Sequence, residues 1–260
     1  MSDEEVGFSV AGYVATVEIR RPPNNFLDVD LIANLATVLE RLDDDVRVRS
    51  IVLAAEGKHF CAGANIKKRL DDEAAGKLQL TRPRHLYHEA QRLVQTRKPI
   101  VAAVQGAAVG GGLGVALAAD LRVASPEARF SANFARLGFH HGFALSVTLP
   151  RTVGAQKAAE LLYTGARIGG EEAVRIGMCD RLVPADELRA AAVAFATEIA
   201  TSAPLAVRSI RETLRDGLVD EVRAATARER AEQERLQRTD DWKEGVAAVA
   251  ARREPDFSGR

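Results

Sequence analysis

The segment Lys98-Pro-Ile-Val-Ala-Ala-Val-Gln-Gly-Ala-Ala-Val-Gly-Gly-Gly-Leu-Gly114 carries the strongest fold signal of the chain. It opens with the apolar run Ile100–Val104 and passes into glycines. Residues 99–119 carry no charge over 21 positions, which is long enough to cross a bilayer. Five of these residues are glycine, Gln105 interrupts them, and alanine outnumbers leucine. Such a segment partitions weakly into lipid, so we predict a buried strand, a glycine turn and a buried helix.

Strands and helices alternate upstream of this segment. Residues 13–20 alternate with the period of a strand, and Ser50–Ala55 is a short apolar run that ends at Glu56-Gly57. Helices are predicted for residues 83–97 and for a stretch that begins near Asp28 or Asp30 as N-cap. The apolar stripe of that first helix comprises Leu31, Ile32, Leu35, Val38, Leu39 and Leu42. Strands that alternate with helices predict an α/β fold with parallel strands.

The last third of the chain is predicted to be helical. The predicted helices span residues 155–163, 170–176, 186–201, 204–218 and 221–251. We therefore divide the chain into a strand-rich core, residues 1–200, and a helical C-terminal region, residues 201–260. The dense arginine and glutamate of the second part are typical of a solvated helix face.

The composition excludes several classes of protein. The 260 residues contain 36 Lys+Arg and 36 Asp+Glu, with 47% apolar residues, so neither disorder nor binding to nucleic acid is expected. Cys61 and Cys179 stand far apart, which is typical of a reducing compartment. The start of the chain shows no targeting segment. We expect a cytoplasmic protein that neither enters a membrane nor holds a metal, because no metal-ligand spacing occurs.

Two segments rich in small residues each follow a predicted strand. His59-Phe-Cys-Ala-Gly-Ala-Asn-Ile-Lys67 follows one strand, and Gly110-Gly-Gly112 follows the next. Backbone N–H groups at such strand-to-helix turns are unpaired donors that suit a phosphate or a developing oxyanion. Neither the P-loop pattern nor the dinucleotide fingerprint is present. Close packing of a helix on a strand explains either glycine segment equally well when it is taken alone.

Taken together, the two segments resemble those of the crotonase superfamily, also called the enoyl-CoA hydratase/isomerase family. The resemblance extends over most of the chain. It is carried by Arg21-Pro-Pro-Asn-Asn25, residues 60–67, residues 98–112, Ala118-Ala-Asp120, residues 161–177, Asp241-Trp-Lys-Glu-Gly245 and Arg252-Arg-Glu-Pro-Asp-Phe257. It implies a spiral of ββα units with a C-terminal helical trimerisation region, and a homotrimer or homohexamer. It also implies an acyl-CoA substrate, with coenzyme A as part of that substrate and no separate cofactor.

The same resemblance assigns a binding site. Two backbone N–H groups would hold the thioester oxygen as an enolate forms, and their positions are Ala64 and Gly111. The preceding Gly63 and Gly110 would let the thioester approach closely. Further residues would bind coenzyme A: the Ala62 carbonyl at the adenine, Lys67 near the phosphates, and Lys58 within a basic cluster of residues 57–70.

The sequence departs from the family where its acid and base groups stand. The two glutamates of the hydratases fall at Gly114 and Phe134, and the carboxylate of the isomerases falls at Gly142. We expect Gly114 to leave open space in the acyl pocket and Phe134 to give it an apolar wall. His141, with His140 as second choice, is predicted to carry the proton instead. A contact with backbone or with a neighbouring subunit explains the histidine pair as well.

Three functions therefore remain open. The first is an acyl-CoA enzyme of hydratase/isomerase type that works through an enolate. The second is a decarboxylase or C–C hydrolase for a carboxylated or ring acyl-CoA, because loss of CO₂ needs an oxyanion site but no base. The third is a catalytically silent subunit that binds coenzyme A.

Overall fold

The computed structural model of the chain describes residues 5–66, 68 and 85–260. Its strands are β1 Val6–Ala11, β2 Val14–Ile19, β3 Ser50–Ala55, β4 Ile100–Val104, β5 Ala107–Val109, β6 Leu121–Ala124, β7 Arg129–Ser131, β8 Arg167–Gly169 and β9 Arg181–Leu182. Its helices are α1 Val29–Asp44, α2 Leu86–Val94, α3 Gly111–Ala118, α4 Leu145–Val153, α5 Ala155–Thr164, α6 Gly170–Arg175, α7 Leu188–Ala200, α8 Pro204–Leu214, α9 Leu218–Leu236 and α10 Asp240–Ala251. A 3₁₀ turn, Ala135–Leu137, precedes α4.

Six strands form the main sheet in the order β1-β2-β3-β4-β6-β9. β1 and β2 are an antiparallel hairpin, and every later pair is parallel, so the predicted α/β fold with parallel strands is confirmed. The register aligns Val17 with Leu53, Leu53 with Ala102, and Ala102 with Arg122. β3 and β4 are buried along their whole length, as expected for strands covered on both faces.

Helices cover both faces of this sheet, because alternate side chains of each strand point to opposite sides. Val52 and Val101 face one apolar cluster, to which α7 contributes Ala192 and Ala196. Leu53 and the stripe of α1 lie in the larger cluster on the other face. Asp28 caps α1 as predicted, since its carboxylate accepts a 2.9 Å hydrogen bond from the Leu31 N–H.

A smaller sheet, β5-β7-β8, lies beside the carboxyl ends of the main strands. β4 leads into β5 and then α3, and β6 leads into β7, so each turn of the chain adds one strand to each sheet. After β3 the chain likewise reaches the smaller sheet, where Cys61 forms an isolated parallel bridge with Ala108 of β5. This is the series of ββα units that the resemblance implies.

Three predicted helices differ clearly from the observed ones, whereas the helices predicted for 155–163, 170–176 and 186–201 agree to within one or two residues at each end. The helix predicted to end at residue 97 ends at Val94, where Gln95 closes it; residues 83 and 84 lie outside the described part. The helix predicted for 204–218 ends at Leu214, because Gly217 takes a left-handed φ of +72° and a new helix starts after it. The helix predicted for 221–251 is interrupted at Thr239, whose hydroxyl accepts from the Trp242 N–H and caps α10.

The C-terminal helices pack on the strand-rich part of the chain. Leu218 and Val222 of α9 belong to the main apolar cluster. Trp242 of α10 packs with Leu137 of the 3₁₀ turn. The division of the chain at residue 200 stays a prediction.

Within the described ranges, no single helix is long and apolar enough to cross a membrane. The pair α7 and α8 passes such a test only when the two are joined, and they are bent by 102°.

Candidate functional site

The chain after β3 runs alongside β5, and this brings the two predicted oxyanion segments together. The Phe60 N–H donates to the Gln105 carbonyl and the Cys61 N–H to the Ala107 carbonyl, both at 2.9 Å. The Val109 N–H returns a 3.1 Å hydrogen bond to the Cys61 carbonyl. Residues 60–64 therefore lie beside the start of α3.

Leu27 contacts both segments. Its N–H donates to the Gly63 carbonyl at 2.9 Å, and a backbone bridge pairs it with Ala64. Its side chain packs on Gly111, where a Cβ would stand 2.7 Å from Leu27 Cδ2. The side chain and backbone of one buried leucine thus join the two positions assigned to the oxyanion site.

The amides of Ala64 and Gly111 are both available to a ligand. Among the described residues, neither N–H donates to a backbone carbonyl. Ala64 is exposed, and Gly111 is half-buried at the first position of α3. The first N–H groups of a helix have no intrahelical acceptor, and the helix dipole adds partial positive charge there. This arrangement can stabilise a developing oxyanion.

Glycine is required beside both amides. Gly63 has φ +83°, and a Cβ on it would stand 2.7 Å from the Val109 carbonyl oxygen. Gly110 has φ +57° and lies immediately before α3. A positive φ disfavours any residue with a side chain. Glycine at these two positions therefore allows the backbone conformation that precedes each amide.

The predicted coenzyme A residues are only partly described. Ala62 is half-buried, and its N–H donates to the Asn24 carbonyl at 2.9 Å. Lys58 is exposed, whereas Lys67 lies outside the described residues. The basic cluster therefore stays a prediction.

The prediction that Gly114 leaves open space is wrong. A Cβ on Gly114 would stand 2.5 Å from Cδ1 of Phe143, and the same ring lies 3.4 Å from a Cβ on Gly111. Phe143 is 4% exposed. The volume beside Gly114 is filled by an aromatic ring from the loop before α4. Nothing local in the sequence marks this contact.

Phe134 lies beside the oxyanion segment. Its Cζ would be 3.6 Å from a Cβ on Gly110. The ring is 5.4 Å from that of Phe139, which in turn is 4.5 Å from that of Trp242, measured between centroids. Three aromatic rings therefore connect α10 to the glycine turn. The Phe134 ring shares the wall at Gly110 with the amide oxygen of Asn133, which would be 3.5 Å from the same Cβ.

The histidine pair lies between the 3₁₀ turn and α9. The imidazoles of His140 and His141 stack with centroids 4.1 Å apart. His140 Nδ1 is 2.7 Å from the His141 carbonyl oxygen, and the His140 carbonyl accepts from Gln233. His141 Nε2 is 3.9 Å from Glu229 Oε1 and has no hydrogen-bond partner in the described part of the chain.

The surroundings of His141 decide its charge. Burial, reinforced by neighbouring His140, lowers the pKa of the His141 imidazole to about 4. The resting side chain at neutral pH is therefore the uncharged base. Burial also raises the pKa of Glu229, against the hydrogen bonds that this carboxylate accepts.

The sequence reasoning missed three polar residues near the histidine pair: Glu229 and Gln233 of α9, and Tyr87 of α2. The Tyr87 hydroxyl donates to Gln233 Oε1 at 2.6 Å. A Cβ on Gly142, the position of the isomerase carboxylate, would stand 1.9 Å from the Tyr87 oxygen, so tyrosine occupies that space. The one feature of the sequence that could have pointed to Glu229 is the density of acidic residues on α9.

No candidate metal centre appears among the described residues, since no three His, Cys, Asp or Glu side chains are grouped suitably. The thiols of Cys61 and Cys179 are buried and unpaired, and burial raises the pKa of each to about 12. Neither thiol is ionised at neutral pH.

Comparison with known proteins agrees with the resemblance. The model of the family "Enoyl-CoA hydratase/isomerase" matches residues 10–260. The chain is 33% identical over 258 residues to a probable enoyl-CoA hydratase of Bacillus subtilis, covering 98% of both. It is 34% identical to the (E)-benzylidenesuccinyl-CoA hydratase of Thauera aromatica, covering 98% of this chain and 99% of that one.

A solved structure of an enoyl-CoA hydratase/isomerase from Pseudoalteromonas atlantica is similar throughout. It aligns with a TM-score of 0.87 at 30% identity, covering 98% of this chain and 100% of that one. The described geometry, the family match and these relatives agree, and the chain belongs to the enoyl-CoA hydratase/isomerase family of the crotonase superfamily.

Proposed function

We propose that the protein acts on an acyl-CoA thioester and stabilises an enolate with the amides of Ala64 and Gly111. The observation that carries this proposal is a pair of N–H groups without a hydrogen-bond partner among the described residues. They are joined through Leu27, and one of them lies at the start of α3. As the thioester oxygen gains charge, the two donors are already in place, so little reorganisation is needed. Family membership supports an acyl-CoA as the substrate.

In the hydratase/isomerase reaction, His141 would carry the proton. Its neutral imidazole accepts a proton from water as the hydroxyl adds to the β-carbon, and it returns that proton to the α-carbon of the enolate. Isomerisation uses the same group to take a proton from one carbon and return it to another.

Decarboxylation or C–C hydrolysis of a carboxylated or ring acyl-CoA is the second candidate, and the side chains at the site favour decarboxylation. The hydratase glutamates of the family correspond to Gly114 and Phe134, and the Phe143 ring fills the space beside Gly114. A carboxylated acyl group meets no ionised side chain from these positions. When its C–CO₂ bond breaks, the electron pair forms the enolate at Ala64 and Gly111, and a proton from water completes the product.

Turnover of a panel of substrates separates the candidates. Purified protein is incubated with enoyl-, malonyl- and ring-acyl-CoA thioesters, and the products are identified by mass spectrometry. Gain of one water, or a moved double bond, supports the first candidate. Loss of CO₂ or ring opening supports the second. Measurable affinity for coenzyme A without any turnover contradicts both and indicates a silent binding subunit.

A further inference from the structure

The loop that carries Phe143 has an unfavourable backbone. Phe143 and the next residue, Ala144, both adopt left-handed conformations, with φ of +61° and +60°. Residues with a Cβ rarely adopt this region, and two in succession need support from the surrounding structure. The ring held by this loop is the one that packs on Gly111 and Gly114.

The support comes from a carboxylate on another element. Glu229 of α9 is 1% exposed. Its Oε2 accepts a 2.9 Å hydrogen bond from the Ala144 N–H. Its Oε1 accepts from the Ser146 N–H at 3.2 Å and from the Ser146 hydroxyl. Both carboxylate oxygens thus accept hydrogen bonds from two residues that closely follow Phe143, Ala144 and Ser146.

We propose that Glu229 is a positioning residue for the oxyanion site. By holding the Ala144 and Ser146 amides, its carboxylate keeps Phe143 in place, and the ring fixes the start of α3 that carries the Gly111 N–H. The catalytic consequence rests on the proposed function. The positioning of the ring is a property of the fold and can be tested separately.

The test combines a substitution with a backbone rescue. Glu229→Gln keeps the size of the side chain but replaces one acceptor oxygen by an NH₂ group that faces N–H donors. We expect kcat to fall between about 10- and 100-fold, because a small displacement of a preorganised group is costly, while KM changes little. Adding Ala144→Gly should restore most of kcat, because glycine adopts a left-handed φ without support. Glu234→Gln, an exposed position of α9, is the matched control.

A second readout does not depend on turnover. Phe143 is replaced by 4-fluorophenylalanine, and the ¹⁹F spectrum is recorded for the parent and both Glu229 variants. The proposal expects Glu229→Gln to shift or broaden the signal, and Ala144→Gly to restore it. An unchanged signal, or a variant that loses thermal stability but keeps its kcat, overturns the proposal. If the parent turns over no thioester, the proposed function fails, and the ¹⁹F result still decides the positioning.

Discussion

The ring of Phe143 occupies the place that a side chain on Gly114 would need. A Cβ on Gly114 would lie 2.5 Å from Cδ1 and 2.8 Å from both Cβ and Cγ of that phenylalanine. Gly114 is inside α3, where alanine normally stabilises a helix by about 1 kcal/mol relative to glycine. The packing of Phe143 on α3 therefore requires a residue without a side chain at position 114.

Gly114→Ala should consequently destabilise the protein, against the trend of helix propensity. Phe143→Ala alone should cost about 3–5 kcal/mol, because it leaves a cavity. The double variant should lose less stability than the two single variants together. Without the Phe143 ring, the methyl group introduced by Gly114→Ala meets no clash and fills part of the cavity. Chemical denaturation of the four proteins of this double-mutant cycle measures the coupling. Strictly additive effects would show that the ring and Gly114 do not meet.

Local sequence patterns predicted the strands of the main sheet and the first helix, because these elements are long or end at clear boundary residues. Ser50–Ala55 is an apolar run closed by Glu56-Gly57, and α1 shows a continuous stripe behind its Asp28 cap. The strands β5, β7 and β8 have three residues each, which is too short for any period to appear. These strands form because the repeated ββα connection places them side by side in the smaller sheet.

The candidate site was predictable only where its assignment concerns backbone N–H groups. The motif positions of Ala64 and Gly111 could be read along the chain. The contacts of Phe143 with Gly114 and of Glu229 with Ala144 join residues that local patterns do not relate, the second pair being 85 positions apart. The missing carboxylate at Gly114 suggested open space, whereas the structure fills it with the ring of Phe143.

Ala64→Pro should abolish one oxyanion donor without breaking the bridge to Leu27. That bridge uses the Gly63 carbonyl, so the Ala64 N–H is not part of it. We expect kcat to fall by about 10²–10³-fold, the usual effect of losing one such donor, with little change in the affinity for coenzyme A. Ala64→Ser keeps the N–H and should stay within a few-fold of the parent. Steady-state kinetics and calorimetric titration with coenzyme A measure the two effects, and normal turnover by Ala64→Pro would remove Ala64 from the mechanism.

His141→Ala should lower kcat by about 10²–10⁴-fold if the imidazole carries the proton. A loss of only a few-fold, in a variant that still binds coenzyme A, would assign the histidine pair to structure. Steady-state kinetics on the substrate found in the panel supply the measurement.

The lowered pKa of His141 also predicts how stability depends on pH. The imidazole titrates near 6.5 in the unfolded chain but near 4 in the folded protein. Between these values the unfolded state binds the additional proton, so stability falls as the pH is lowered, by up to about 3 kcal/mol in total. Glu229, whose pKa is raised, acts in the opposite direction over part of this range. His141→Gln should flatten the fall between pH 6.5 and 4 in urea denaturation curves, and an unchanged slope would show that burial does not disfavour the imidazolium.

Gly245→Ala should displace α10 from the site. A Cβ on Gly245 would stand 2.5 Å from the carbonyl carbon of Leu137, which belongs to backbone and cannot move aside cheaply. Trp242, the single tryptophan of the chain, is 8% exposed and reports this packing directly. We expect its fluorescence emission to shift to longer wavelength, together with a lower melting temperature.

The matched control for Gly245→Ala is Ala247→Gly, at an exposed position of α10. It should cost only about 1 kcal/mol in helix propensity and leave the emission unchanged. Because Trp242 packs against Phe139, and Phe139 contacts Phe134, a displaced α10 should also loosen the packing of Phe134 at Gly110. Turnover by Gly245→Ala should then fall together with the emission shift. Full activity in a variant with shifted emission would show that the proposed oxyanion site does not need the packing of Trp242, Phe139 and Phe134.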